Sequence, residues 1–331
     1  MGFHPTFCPR KDCPSRSGSP FTYRCRGRFR RHCDGRSVPR FRCLCCSRGF
    51  SEQTFRVNYR LKRPELLGRL FFDRVSKVSH RQSARIQGCT RGTEERHFRR
   101  LSGHCAAFHS VRMSEIAAHG GLGEVFLLDE LETYEQHRTG KPVTVPILIE
   151  RESGFVIDVR AGALAARVSA RKQREAGEAS PVEERKCESR HVVQAAFEQL
   201  QNACPKNRPI VVLTDMKPTY AAILRKLFGA RCHHDRTPST RRRDVSNPLW
   251  PINHTLARVR DNLSRLVRET WGAAKLRRWL QGHLAIWTCY RNYVRGRTNK
   301  EPSRTPAMAL GAQEHQWSVR RLLKWRVDLL T

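Results

Sequence analysis

Two aspartates stand at the ends of apolar runs, one in Val125-Phe126-Leu127-Leu128-Asp129-Glu130 and the other in Ile210-Val211-Val212-Leu213-Thr214-Asp215. Carboxylates delivered to one edge of a sheet can hold divalent cations against a phosphodiester. Attack at phosphorus needs an activated nucleophile and a stabilised leaving oxygen, and two Mg2+ ions about 4 Å apart supply both. In an extended segment Asp129 and Glu130 point to opposite sides, so only one of them need face a metal. Taken singly, either aspartate could equally be a helix cap or a turn residue. The chain around them carries 63 lysines and arginines against 30 aspartates and glutamates, a formal charge of +33. Its natural partner is a polyanion, and binding to DNA or RNA should be sensitive to salt through counterion release.

A third metal ligand is harder to place. Residues 247–255, Asn247-Pro248-Leu249-Trp250-Pro251-Ile252-Asn253-His254-Thr255, hold no glutamate. Asn253 offers a carbonyl oxygen without charge. His254 could ligate, although hard Mg2+ prefers oxygen. The next acids, Asp261 and Glu269, lie among arginines in Arg260-Asp261-Asn262-Leu263-Ser264-Arg265-Leu266-Val267-Arg268-Glu269, where they read as ion-pair partners on a solvated helix face.

Seven of the 13 cysteines fall between Cys8 and Cys46. Met1-Gly2-Phe3-His4-Pro5 lacks the apolar core of a signal peptide, and no apolar run approaches the ~18 residues that would span a bilayer. An anionic membrane surface is the lesser alternative to nucleic acid. A cytosolic chain uses clustered cysteines for metal rather than disulfides. Cys8-x4-Cys13 and Cys43-x2-Cys46 present two thiolates each, as structural zinc requires. The second pair sits in Phe41-Arg42-Cys43-Leu44-Cys45-Cys46-Ser47-Arg48-Gly49-Phe50, a knuckle flanked by aromatics. Cys25, Cys33 and Cys45 are surplus to this set, and the bland alternative is unliganded thiols in a basic tail. The first 50 positions carry 12 lysines and arginines against 2 aspartates, a local charge of +10. A segment this poor in aliphatic residues needs a metal as its staple.

Helical spacing begins near Pro64, with Leu66, Leu67, Leu70, Phe71, Val75 and Val78 at three- and four-residue steps. Ser79 caps a segment over His80–Ile86, Gly88-Cys89 turns, and Thr93 opens a helix through Phe98 and Leu101. Helix, glycine turn and basic helix form a helix-turn-helix pattern that places Arg91, Thr93, Arg96, Arg99 and Arg100 on or near DNA. The alternative is a solvated charged face on a helical bundle.

From about 124 the apolar period becomes two, over 125–128, 143–149 and 154–159. A charged stretch, 167–184, reads as an excursion. A helix over 190–204, a strand over 210–214, a helix over 218–228, a short strand near 230–233 and helices over roughly 252–270 and 273–294 follow. Arg277, Arg278, Arg291 and Arg295 beside Trp279, Trp287 and Tyr290 suit DNA support, with the aromatics read as core. This order is typical of the ribonuclease-H-like α/β fold, a mixed sheet flanked by helices. The expected domains are a zinc module over 1–58, a helix-turn-helix domain over 59–118, a catalytic domain over 119–296 and a basic tail over 297–331.

These residues resemble the transposases of the insertion sequence One family and their relatives. Phe41-x-Cys43-x-x-Cys46-x-Arg48-x-Phe50 looks like their zinc module. Leu127-Leu128-Asp129-Glu130 and Leu213-Thr214-Asp215-x-x-Pro218-x-Tyr220 look like their first two acidic motifs. Arg260-x-x-Leu263-x-Arg265-Leu266-x-Arg268 looks like the basic helix after their catalytic glutamate, and Arg304-Thr305-Pro306-Ala307-Met308-Ala309-Leu310-Gly311 resembles a transposase tail. The resemblance implies a DDE transposase that binds double-stranded element ends and target DNA. It implies structural Zn2+, catalytic Mg2+ or Mn2+, a homo-oligomer on paired ends, and action in the cytoplasm at the bacterial nucleoid. Placing Arg260–Arg268 on the family helix puts Asn253 where the family has glutamate. Asn253 is then a neutral ligand helped by His254 or a shifted acid, or Asp261 has taken the role, or the copy is decayed and only binds DNA. A nuclease or RNA-binding protein of the same fold is a further alternative.

Overall fold

The computed structural model describes residues 3–32, 35–136, 138, 140–166, 185–267 and 272–326. The expected excursion 167–184, together with Cys33, Arg268, Glu269 and Trp271, lies outside them. The chain divides into two compact units, Met1–Gly68 with Val319–Thr331, and Arg69–Ser318.

In the first unit an antiparallel sheet joins β1 (Tyr23–Arg30), β2 (Ser37–Cys43) and β3 (Gly49–Ser51) in that order. Gly27, at φ 72°, sits where the β1–β2 register shifts between Cys25 and Arg28. That conformation costs glycine little and a branched residue much. Phe3, Phe7, Phe21, Tyr23, Phe41, Phe50 and Phe55 pack around three buried cysteines. Aromatic rings and sulfur thus supply the core that aliphatics do not. Glu52 is buried there and takes ion pairs from Arg36 and Arg326, each at 2.9 Å, and from Arg56. Burial alone would raise its carboxyl, but Arg56, Arg36 and Arg326 hold it below the ordinary value.

Three helices follow, α1 (Leu66–Arg74), which begins in the last residues of the first unit, and α2 (His80–Ile86) and α3 (Arg91–Ala118) in the second. Ser79 and Gln82 cap α2 reciprocally, the device that saves two otherwise unpaired amide donors. Thr90, not Thr93, caps α3, because its hydroxyl accepts from the Thr93 amide at 3.2 Å. The helix is also longer than the spacing predicts, since Cys105, Phe108, Val111 and Ile116 extend its buried stripe well past Leu101.

A mixed sheet follows, from β4 (Val125–Tyr134), β5 (Pro142–Glu150), β6 (Val156–Val159), β8 (Ile210–Thr214) and β9 (Cys232–Arg236), in the order β6-β5-β4-β8-β9. The short β7 (Gly162–Ala163) adds to β5. β4 pairs antiparallel with β5 along its length, from Phe126 opposite Glu150 to Tyr134 opposite Pro142. β4 and β8 run parallel, as do β8 and β9. Every residue of β5 is buried, as expected for a strand covered on both faces.

One face carries Leu127, Leu131, Val145, Ile147, Ile149 and Leu213. It packs in one core with α6 (Trp250–Asn262) and α7 (Arg277–Cys289) through Ile252, Leu256, Val259, Leu280, Leu284 and Trp287. Across the sheet, α4 (Ser189–Ala203) packs on β5 and β6, and α5 (Pro218–Phe228) on α4 and β9. Two helix boundaries differ from expectation. α6 stops at Asn262, where Leu263 turns extended and both Leu263 and Leu266 enter the core. Burying them breaks the helical register, so the described basic segment 260–267 is not one helix. The last long helix passes from α into a π turn at Tyr290–Val294, with Asn292 and Tyr293 buried.

Candidate active site and metal centre

Asp129 lies midway along β4, and Asp215 immediately follows β8. The parallel register sets Val125 beside Val211 and Leu127 beside Leu213, so two residues further on Asp129 and Asp215 stand level. Alternation puts Asp129 on the face of Leu127 and Leu131, and Asp215 on that of Leu213. Both aspartates thus lie on the face that α6 covers. Burial pushes the Asp129 carboxyl up to about 6, and the Asp215 charge adds to the shift while Arg243 opposes it. Each has a backbone amide donor, Glu130 N to Asp129 Oδ1 at 2.7 Å and Lys217 N to Asp215 Oδ1 at 3.0 Å.

Glu130 faces the other way. Its carboxylate accepts from Tyr220 Oη at 2.6 Å, Thr144 Oγ1 at 2.6 Å, Ser189 Oγ at 2.9 Å and Lys217 Nζ. Lys217 also reaches Ser189 Oγ at 2.8 Å. Burial alone would raise the Glu130 carboxyl, but Lys217, Thr144 and Tyr220 hold it below its ordinary value. A carboxylate with its lone pairs filled this way ties β4 to β5, α4 and α5, and is poorly placed to ligate metal.

Asn253 occupies the first turn of α6, beside buried Ile252. Thr133 Oγ1 donates to the Arg265 carbonyl at 3.4 Å, fixing the far end of α6 near the far end of β4. The first turn therefore lies toward Asp129, and Asp261 lies eight residues, about 12 Å, away along the helix. Asp261 is exposed and pairs with Lys77 at 2.9 Å, the ion-pair arrangement expected of an acid among arginines. His254 is exposed and stacks on Trp250, rings 6.0 Å apart and 8° from parallel. Arg241, Arg242 and Arg243 are exposed just ahead of this helix. The sequence reading overlooked both the stack and these arginines, although three consecutive arginines after a strand were a visible signal.

Arg91, Arg96, Arg99 and Arg100 are exposed on the first turns of α3, while Thr93 is half-buried. Arg91 pairs with Glu95 at 2.7 Å, and Arg99 lies 5.5 Å from the Trp279 ring centre. Trp287 is fully buried, Trp279 packs on Phe98 at 5.6 Å, and Tyr290 is half-buried. Arg260 is half-buried on α6, and Arg265 lies beyond its end.

In the first unit Cys8, Cys13, Cys43 and Cys46 bring their four sulfurs within 4.8 Å of one another. Cys8 and Cys46 are 3.6 Å apart, and Cys13 and Cys43 3.7 Å. Sulfurs placed tetrahedrally around zinc at their usual bond length have edges of about 3.8 Å, so the cluster could hold zinc. Burial pushes the Cys8 thiol up to about 12, and its hydrogen bonds with Cys46, Cys13 and Cys43 add to the shift. Cys25 is exposed, and Cys45 donates to the Pro20 carbonyl at 3.4 Å. Among the described residues this is the only group of three or more Cys, His, Asp or Glu placed to hold an ion, so no third acid or histidine joins Asp129 and Asp215.

No family model matches the chain, and no curated protein does. Five chains of solved structures match it. One, from the crystal structure of the Mos1 strand transfer complex, is 11% identical, over 64% of this chain and 72% of that one, with a TM-score of 0.25. A superposition that loose carries no argument about chemistry. No described helix is long and apolar enough to cross a membrane.

Proposed function

We propose that this chain is a DDE-type DNA transposase similar to the insertion sequence One family, with a ribonuclease-H-like catalytic region over 119–296. The supporting observation is the pair Asp129 and Asp215, level on one face of adjacent parallel strands beneath the helix that carries Asn253. The strand order β6-β5-β4-β8-β9, with only the β4–β8 and β8–β9 pairs parallel, suits that fold. Two carboxylates and an amide are hard oxygen donors that fit Mg2+ or Mn2+, and a cation there would offset the desolvation of Asp129. A divalent ion held there would polarise the scissile phosphate and stabilise the leaving oxygen. Asp129 and Asp215 orient that ion, Glu130 and Lys217 fix the strands behind them, and Arg241–Arg243 neutralise the approaching phosphates. The cysteine cluster holds structural zinc in the module over 1–58. The helices over 59–118 and the tail over 297–331 bind double-stranded element ends and target DNA, in a homo-oligomer working in the bacterial cytoplasm.

The neutral Asn253 favours a second reading, a decayed transposase that only binds DNA. Strand cleavage of flanking element-end DNA with Mg2+ or Mn2+ separates the two, using wild type, Asp215→Ala and Asn253→Glu. Cleavage by wild type that disappears in Asp215→Ala, with DNA affinity unchanged, supports the enzyme. No cleavage by wild type but a gain in Asn253→Glu supports the decayed copy. Cleavage retained in Asp215→Ala would end the proposal for this site.

A further inference from the structure

A cavity of about 710 Å³ opens between α2, the start of α3 and residues 264–267 and 272–275. Five cations line it: Lys77, Arg81, Arg91, Arg265 and Lys275. Lys77 and Arg91 have carboxylate partners in Asp261 and Glu95. Arg81, Arg265 and Lys275 form no ion pair among the described residues. Arg265 is largely buried, and burial lowers its pKa to about 10. A largely buried guanidinium held in no ion pair is costly, and the cost falls when an anion enters.

The wall behind these cations is polar and already committed. Glu94 is fully buried and takes Arg74 at 3.5 Å and His80 Nδ1 at 2.6 Å. Its charge, like that of Glu95, still acts on Arg265, but neither forms an ion pair with it among the described residues. His283, also buried, accepts from Arg265 Nε at 3.3 Å through Nε2. His80 Nε2 lies 3.2 Å from the same nitrogen of the His283 ring. Burial keeps that ring neutral. His283 Nδ1 is buried without a hydrogen-bond partner among the described residues. A cavity lined by five cations, three of them in no ion pair among the described residues, suits an anion with several acceptor oxygens.

We infer that this cavity is a phosphate-binding site, occupied by a backbone phosphodiester of the bound nucleic acid. Guanidinium groups suit that ligand because their forked donors match phosphate oxygens. The site joins Arg91 and Arg265, which the sequence assigned to two separate DNA-binding elements, around one phosphate. It would fix the strand against the catalytic region at a distance from Asp129 and Asp215. The inference rests on the nucleic-acid reading above for its occupant.

The test is binding of the zinc-loaded full chain to a short fluorescein-labelled duplex of arbitrary sequence, by anisotropy across a salt series. The variants are Arg81→Gln with Lys275→Gln, both exposed and so tolerated by the fold, and Arg225→Gln on α5 as a remote exposed control. The double variant should flatten the slope of log affinity against log salt by about one and weaken binding about tenfold, whereas the control changes little. A double variant indistinguishable from the control overturns the inference. A second arm measures the melting temperature with tripolyphosphate. Stabilisation lost in the double variant, with an unchanged duplex slope, assigns the cavity to a free polyphosphate and overturns the backbone occupant. If wild type binds no duplex, the nucleic-acid reading itself fails. The tripolyphosphate arm then decides alone: a shift lost in the double variant keeps the phosphate site, and no shift removes it.

Discussion

Asp129 and Glu130 are adjacent carboxylates with opposite surroundings, and the pleat of β4 is the cause. Asp129 faces the α6 side, where burial and Asp215 raise its carboxyl. Glu130 faces α4 and α5, where a lysine and three hydroxyls fill its lone pairs. Which of the two is left open to a cation is thus a matter of alternation and of partners. His109 shows the same dependence on surroundings. Its Nε2–H donates to the Ile157 carbonyl at 3.0 Å and Nδ1 accepts from Tyr293 Oη at 3.0 Å. Burial pushes its pKa down to about 4, against the pull of the Ile157 carbonyl. A lowered histidine leaves the folded state binding fewer protons than the unfolded chain below the ordinary value near 6.5. The contribution is therefore complete above pH 6.5 and is lost as pH falls toward 4, about 3 kcal/mol in all. Urea unfolding at pH 7 and pH 4 should show that much less acid sensitivity in His109→Gln than in wild type. Equal acid sensitivity would place the pH dependence elsewhere.

Among the elements, the contact of α3 with α7 depends on one absent methyl. A Cβ at Gly282 would meet Phe98 Cζ at 2.9 Å and Ser102 Cβ at 3.1 Å. Glycine in a free helix is about 1 kcal/mol worse than alanine. Here Gly282→Ala should instead lower stability by about 1–3 kcal/mol, because Phe98 is buried and cannot move aside. Thermal unfolding measures the sign, and a gain in stability would mean that the two helices slide freely. The small sheet β1–β3 depends on a different device. Its rings leave three sulfurs buried at the centre, so a zinc ion held by the cysteines would contribute folding energy directly. Purified protein should contain zinc near one per chain by elemental analysis. Chelation or Cys43→Ser should unfold this sheet, read as lost dispersion of Phe41 and Phe50 resonances. A zinc-free protein with an intact sheet would show that the sulfurs are a packing feature alone.

Over the whole molecule the formal charge of +33 makes self-repulsion a standing cost of compactness. Raising ionic strength from about 0.01 M to about 1 M shortens the screening length from about 30 Å to about 3 Å. The melting temperature of the nucleic-acid-free protein should therefore rise with salt by several degrees. A fall would mean that ion pairs such as those on Glu52 and Glu130 outweigh the repulsion. Much of the architecture was legible in the residues. Alternation announced β4, β5 and β6, a continuous apolar run announced β8, Pro218 marked the start of α5 at a position where its missing N–H costs nothing, and Ser79 marked α2. The cysteine spacing gave the four sulfurs that converge. These signals are local, since side-chain period, caps and turn residues act within a few positions. Other features are set by segments far apart in the chain. The sequence did not reveal that α6 ends at Asn262, because burial of Leu263 and Leu266 against the sheet overrides the helical spacing around them. Nor could it place Asp261 on the surface beside Lys77, or Arg81, Arg265 and Lys275 around one cavity. Residue types and spacing determined which groups could do chemistry and on which elements they lie. Tertiary packing alone decided which of them share a face, which are neutralised by buried partners and which remain unpaired, because desolvation and pairing depend on neighbours that only the folded chain supplies.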